Sequence, residues 1–124
     1  MNFSVSITNQ AEEDLADIYS FILNEYKSQI NADAVLGRLY TEINNLSFMA
    51  DGYHLYPNEP WYSRGLRYFS IHDYSIFYLI SDIEGGKEAR VTHVTYGRRD
   101  LDRFLSDMKI DWGWRPSKNW QSLY

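Results

Sequence analysis

Apolar and polar residues alternate from Phe3 to Thr8, with Phe3, Val5 and Ile7 on one side and Ser4, Ser6 and Thr8 on the other. That period of two is the signature of a half-buried strand. The period then changes. Ala11, Leu15, Ile18, Ile22 and Tyr26 recur at spacings of three and four, which places one apolar stripe on a helix of about four to five turns. Asn9 with Glu12 reads as a capping box at its start, and Glu13 and Asp14 suit the positive end of the helix dipole. A polar break at Lys27-Ser28-Gln29 precedes a second stripe of Ile30 or Ala32, then Val35, Leu39, Ile43 and Leu46. The short link predicts two antiparallel neighbouring helices. Gly37 lowers the stability of the second one and is read as room for close packing against the first.

Residues 50–62 are irregular, with two prolines and a glycine, yet rich in aromatics, so this loop is expected to pack on the body. Alternation resumes at 66–71 and 74–80, with His72-Asp73 as a tight turn between the two runs. Glu84-Gly85-Gly86-Lys87 makes a second turn, and Val91, Val94 and Tyr96 mark a third strand. Leu101, Phe104, Leu105 and Met108 return to helical spacing within 99–108. The result is an α+β fold: N-terminal strand, helical hairpin, three-stranded antiparallel meander and short C-terminal helix, in the order β-α-α-β-β-β-α. Residues 1–109 form one domain, and 110–124 form a tryptophan-rich tail without a clear period.

Composition narrows the function classes. The 124 residues include no cysteine, which excludes disulfides, thiolate metal sites and cysteine nucleophiles. A cytoplasmic location is compatible with this, and neither a membrane span nor a signal peptide is read in the sequence. The net charge of −5 opposes general affinity for nucleic acid, but it is unevenly spread. Residues 1–59 carry nine acids and two bases, while 64–103 carry seven bases and six acids.

The arginines therefore gather where the sheet begins and ends. Arg64 and Arg67 precede and open the meander, and Arg98 and Arg99 follow it, so these four are candidates for contact with an anion or an acidic partner. Each has a plainer reading. Arg98 and Arg99 can pair with Asp100 or Asp102, and for Arg64 an ion pair across the sheet is preferred. The histidines, His54, His72 and His93, are widely spaced and show no metal pattern, so no metal or cofactor is expected. His93 reads as a satisfied strand residue and His72 as a turn residue. Tyr68, Tyr74, Tyr78 and Tyr96 read mainly as packing groups, with hydroxyls reaching the edge.

Four pieces of the chain carry a resemblance. Ala-Glu-Glu-Asp-Leu-Ala-Asp-Ile-Tyr at 11–19, Leu-Arg at 66–67, Tyr-Ser-Ile-Phe-Tyr at 74–78 and His-Val-Thr-Tyr-Gly-Arg-Arg-Asp-Leu at 93–101 stand in an order and spacing similar to the RelE/ParE superfamily of bacterial toxins from type II toxin–antitoxin modules. The similarity spans about residues 3–108. It implies a small sheet packed on a helical hairpin, and a cognate antitoxin that wraps and neutralises the chain. An amphipathic segment of that partner is expected in a groove over the hairpin or along the sheet.

Two activities occur in the superfamily. RelE-like members cut messenger RNA on the ribosome, and ParE-like members poison DNA gyrase. RNA cleavage needs bases that stabilise charge at phosphorus and a group that activates the 2′-hydroxyl. By resemblance, Arg98 occupies the arginine position after the last strand, and Arg67 lies near a basic position of the first hairpin. Ser75 stands where RNA cutters often have arginine, Phe104 stands at the late tyrosine position, and the loop before the sheet has Glu59 and no lysine. These departures favour the ParE-like branch. The alternatives are a ribosome-dependent mRNA endonuclease, using Tyr96 or His93 with Arg67 and Arg98, and a non-toxic binding module of the same fold.

Overall fold

The computed structural model describes residues 2–97 and 101–107. Strand β1 spans Ser4–Ile7, helix α1 Asn9–Tyr26, helix α2 Gln29–Asn44 and the single-turn helix α3 Leu46–Met49, followed by a 3₁₀ turn at Ala50–Gly52. Strands β2 (Arg67–Ile71), β3 (Tyr74–Ile83) and β4 (Gly86–Tyr96) follow, and helix α4 covers Leu101–Asp107. The sheet order is β1-β4-β3-β2. The meander is antiparallel, and β1 joins it by pairing parallel to β4, with Val5 opposite Ala89 and Ile7 opposite Val91. The helical hairpin is part of the long connection between this parallel pair, which also includes β2 and β3.

One face of the sheet packs on the hairpin. Ala11, Leu15, Ile18 and Ile22 of α1, with Ala32, Leu39 and Ile43 of α2, meet Phe69, Ile71, Ile76, Tyr78, Ala89, Val91 and Val94. The stripe on α1 thus ends at Ile22. Tyr26 is exposed and sets its ring edge-on against Phe21. On α2 the stripe starts at Ala32, while Ile30 is 82% exposed. Two tyrosine–carboxylate bonds clamp the hairpin: Tyr19 Oη donates to Asp33 at 2.8 Å, and Tyr40 Oη donates to Glu12 at 3.0 Å.

Two local expectations are corrected. The cap of α1 is Thr8, whose Oγ1 accepts from the Ala11 amide at 3.1 Å, and Asn9 is already helical. Thr8 wins because the same hydroxyl donates to the Thr92 carbonyl of β4 at 3.0 Å, a tie to the sheet that Asn9 does not make. Glu12 is drawn to Tyr40 of the neighbouring helix and does not close a capping box. Gly37 is exposed, and a Cβ there would meet nothing within 4 Å, so the glycine serves no close helix approach. Thr8→Ala is expected to cost about 1–2 kcal/mol, since it removes the cap and a long-range hydrogen bond together. Urea denaturation of the two proteins measures this.

The opposite face of the sheet carries a second core. The aromatic loop packs there as expected: Tyr56 and Trp61 are buried with Leu66, Phe77, Leu79 and Leu105. The loop also pairs with the start of β2 on its outer edge. The Tyr56 amide donates to the Leu66 carbonyl at 2.7 Å, and the Tyr68 amide donates to the His54 carbonyl at 3.2 Å. The pairing is a single bridge, between Leu55 and Arg67 at the start of β2. Asp102 holds α4 to the loop by accepting from Tyr56 Oη, and from Asn58 Nδ2 at 2.9 Å. These bonds hold the Asp102 carboxyl below its usual range. The tail at 110–124 lies outside the described residues.

Candidate functional site

An irregularity in β4 decides which way its side chains point. Phe77 pairs with His93, but the next residue, Tyr78, pairs with Val91. Thr92 is therefore an extra residue, a β-bulge, and its Oγ1 donates to the Phe77 carbonyl at 3.3 Å. Val91 and Val94 both face the hairpin, and His93 is turned to the other face. There the imidazole is 2% exposed, edge-on to Phe104 with ring centroids 6.0 Å apart. Among the described residues, neither ring nitrogen has a hydrogen-bond partner. Burial pushes the imidazole down to about 4, so it is neutral at physiological pH. The expected satisfied strand histidine is thus buried but unsatisfied.

Arg67 faces the other way. Its partner across the strand pair is Tyr78, which lies in the hairpin-side core, and its Nη1 donates to the Tyr53 carbonyl at 2.5 Å. The guanidinium holds the end of the irregular loop against the sheet. Tyr78 Oη donates to the Ala50 carbonyl nearby, and burial raises its phenol far above the usual range. Arg64 is exposed in the turn before β2. Arg98 and Arg99 lie outside the described residues.

Tyr96 pairs with Tyr74 at the far end of the meander, and Arg67 pairs with Tyr78. Four residues of strand and two strand spacings separate the two sites, about 13 Å along the sheet and about 10 Å across it. Arg67, His93 and Tyr96 therefore do not converge on one reacting atom. Ser75 is buried, within 3.1 Å of the Ser70 hydroxyl, and Phe104 stacks on Phe77. Among the described residues, no group of three or more histidine, aspartate or glutamate side chains is placed to hold a metal ion.

Tyr96 does border an open groove of about 390 Å³ between α1, the ends of β3 and β4, and α4. Asp14, Asp17 and Phe21 of α1 form one wall, and Tyr74, Tyr96 and Phe104 stand across from them. The carboxylate of Asp14 accepts from the Val94 amide at 3.0 Å and from Gln10 Nε2 at 2.9 Å. Burial raises its carboxyl despite these bonds. The helical period assigns Asp14 to an acidic first turn. The bond to Val94, 80 positions away, has no sequence signal.

A four-stranded sheet, with β1 parallel to β4 and the meander antiparallel, packed on a clamped helical hairpin defines a small α+β protein. The profile of the ParE toxin of type II toxin-antitoxin system, parDE, matches residues 5–101. The chain belongs to this family, within the RelE/ParE superfamily, and is the toxin component of a toxin–antitoxin system. Its fold is shared with a solved chain described as the chromosomal ParDE TA system from P. aeruginosa, with a TM-score of 0.63 and 19% identity. That similarity covers 77% of this chain and 97% of the other. No curated protein matches significantly. Among the described residues, no helix is long and apolar enough to cross a membrane.

Proposed function

We propose that this toxin arrests growth by binding a macromolecular target, DNA gyrase, and that a cognate antitoxin relieves the arrest by covering it. One observation supports binding over RNA cleavage: Arg67, His93 and Tyr96 point to separate regions of the sheet, and His93 is buried and neutral. A general acid or base must reach the proton it transfers. The acidic chain is also a poor match for a ribosomal RNA surface. In this reading Arg64, Arg67, Arg98 and Arg99 contribute through charge, at the target or at an anion, and the domain ends near residue 109.

Induction in cells lacking the antitoxin is expected to stop growth, with DNA cleaved or trapped on gyrase and ribosome-bound transcripts intact by primer extension. The Arg98→Ala, Arg99→Ala double variant is expected to lose most of this effect. Codon-positioned cuts in messenger RNA would instead identify a RelE-like endonuclease. Harmless induction with tight antitoxin binding would identify a non-toxic binding module.

A further inference from the structure

Two charged side chains of β4, Glu88 and Arg90, are buried, at 1% and 3% exposure. Both point away from the hairpin, because Ala89 and Val91, which alternate with them, belong to the hairpin-side core. In register, Glu88 stands between Ser4 of β1 and Ser81 of β3, and Arg90 stands between Ser6 and Leu79. Three serines and a leucine are shorter than the glutamate and arginine they flank, and side chains on one sheet face rise roughly parallel to one another. Glu88 Oε1 has no hydrogen-bond partner among the described residues, and burial raises the carboxyl. A buried carboxylate oxygen without a donor is costly. This end of the face therefore calls for a cover that is largely apolar and brings a hydrogen-bond donor to Glu88.

We propose that the chain's own C-terminal segment, residues 108–124, docks on this face. Its tryptophans lie over Leu79 and the stem of Arg90, and a cation of the segment, Arg115 or Lys118, donates to Glu88. The path leads there. Helix α4 ends at Asp107, and Leu105 shares the second core with Leu79, so the chain leaves α4 on the face in question. Arg90 lies one strand spacing beyond Leu79, about 5 Å, and Glu88 about 7 Å further along β4. A few extended residues cover that distance at about 3.3–3.6 Å each.

Composition and charge fit as well. Trp112, Trp114 and Trp120 are three of the four tryptophans of the chain. An indole offers a broad apolar face and a donor N–H, which suits a surface of leucine, an arginine stem and acceptor oxygens. Lys109, Arg115 and Lys118 outnumber Asp111, so the segment is basic. The family profile ends at residue 101, so this role falls to sequence beyond the family match. It is independent of the target and of the antitoxin.

The test uses the full-length chain, which has no cysteine of its own. Ser81→Cys, in register with Glu88, is combined in turn with a second cysteine at each position from 112 to 121. Mild oxidation at high dilution is expected to close an intrachain disulfide fastest within one short run of these positions. The rate there should exceed that at the other positions by about tenfold or more, because docking raises the local concentration of the thiol. In a double-mutant cycle read from urea midpoints, Glu88→Gln and the Arg115→Gln, Lys118→Gln pair are expected to lose less together than the sum of their separate losses.

Equally slow closure at every position, in variants whose circular dichroism matches the wild type, would overturn the docking. Disulfides that form between two chains would assign the face to a second copy and overturn it too. Additive losses in the cycle would overturn the pairing with Glu88.

Discussion

Replacing His93 with leucine is expected to stabilise the protein, and to do so more as the pH falls. At neutral pH the imidazole has two ring nitrogens without partners among the described residues, beside Phe104 and opposite Phe77. An apolar side chain of similar size removes that desolvation cost, worth about 1–3 kcal/mol. The acid branch follows from linkage. His93 titrates at about 4 in the folded chain, below the 6.5 of a free imidazole, because burial opposes its charge. The unfolded chain therefore binds the proton first. Wild-type stability is untouched by this group above pH 6.5, declines as the pH drops from 6.5 to 4, and is level again below that. The total loss over this window is ~3 kcal/mol.

Burial raises the carboxyls of Asp14 and Glu88, and these act with the opposite sign. Each favours the folded state in acid and loses that contribution as the pH rises through its folded value. The net slope of the wild type therefore mixes both signs, and the difference between wild type and His93→Leu isolates the histidine. Denaturant titrations at pH 7, 5.5 and 4 measure it. Parallel curves for the two proteins would show that His93 gains a partner in solution. Toxicity provides a separate readout. If His93→Leu folds well and still arrests growth, His93 is not the base of an RNA cutter.

A second large effect is expected at Phe77. Its ring is fully buried at the centre of the second core, stacked on Tyr68 at 5.8 Å and on Phe104 at 6.0 Å, with Tyr56 at 6.1 Å. Truncation to alanine removes the group that the loop, β2 and α4 all pack against. The expected loss is about 3–5 kcal/mol, from the lost burial and the cavity left behind. Protection of β2 amides from hydrogen exchange should fall before that of α1, because the hairpin packs on the other face. Phe48→Ala is the matched control. That ring is 58% exposed, so its removal is expected to change stability by no more than about 0.5 kcal/mol. Equal losses for the two variants would contradict the two-core description.

Phe104 links the two sides, since it stacks on Phe77 in the second core and also lines the groove beside Tyr96. Loss of Phe77 is therefore expected to loosen Phe104 in the groove as well as the second core.

The sequence by itself determined the main elements and their order, but it ran Leu46 into the second helix, where the chain breaks at Asn45 and starts the short α3. A period of two at Phe3–Ile7 and 66–80, a period near 3.6 at 11–22 and 32–46, and glycine at 85 mark features whose causes are local. The packing of the sheet on the hairpin was implied by the resemblance to the RelE/ParE superfamily. The spacing of Val91, Val94 and Tyr96 even held a trace of the bulge, because three residues separate the first pair where an unbroken strand would put two. What only the tertiary structure decided is where polar groups point and what they meet. A strand's alternation fixes its faces only while the register runs unbroken, and one extra residue at Thr92 sent His93 to the opposite face. The bonds of Thr8 to Thr92, Asp14 to Val94 and Arg67 to Tyr53 join residues far apart in the chain. Their strength comes from a fixed approach of two elements, a distance that no local pattern of residues encodes.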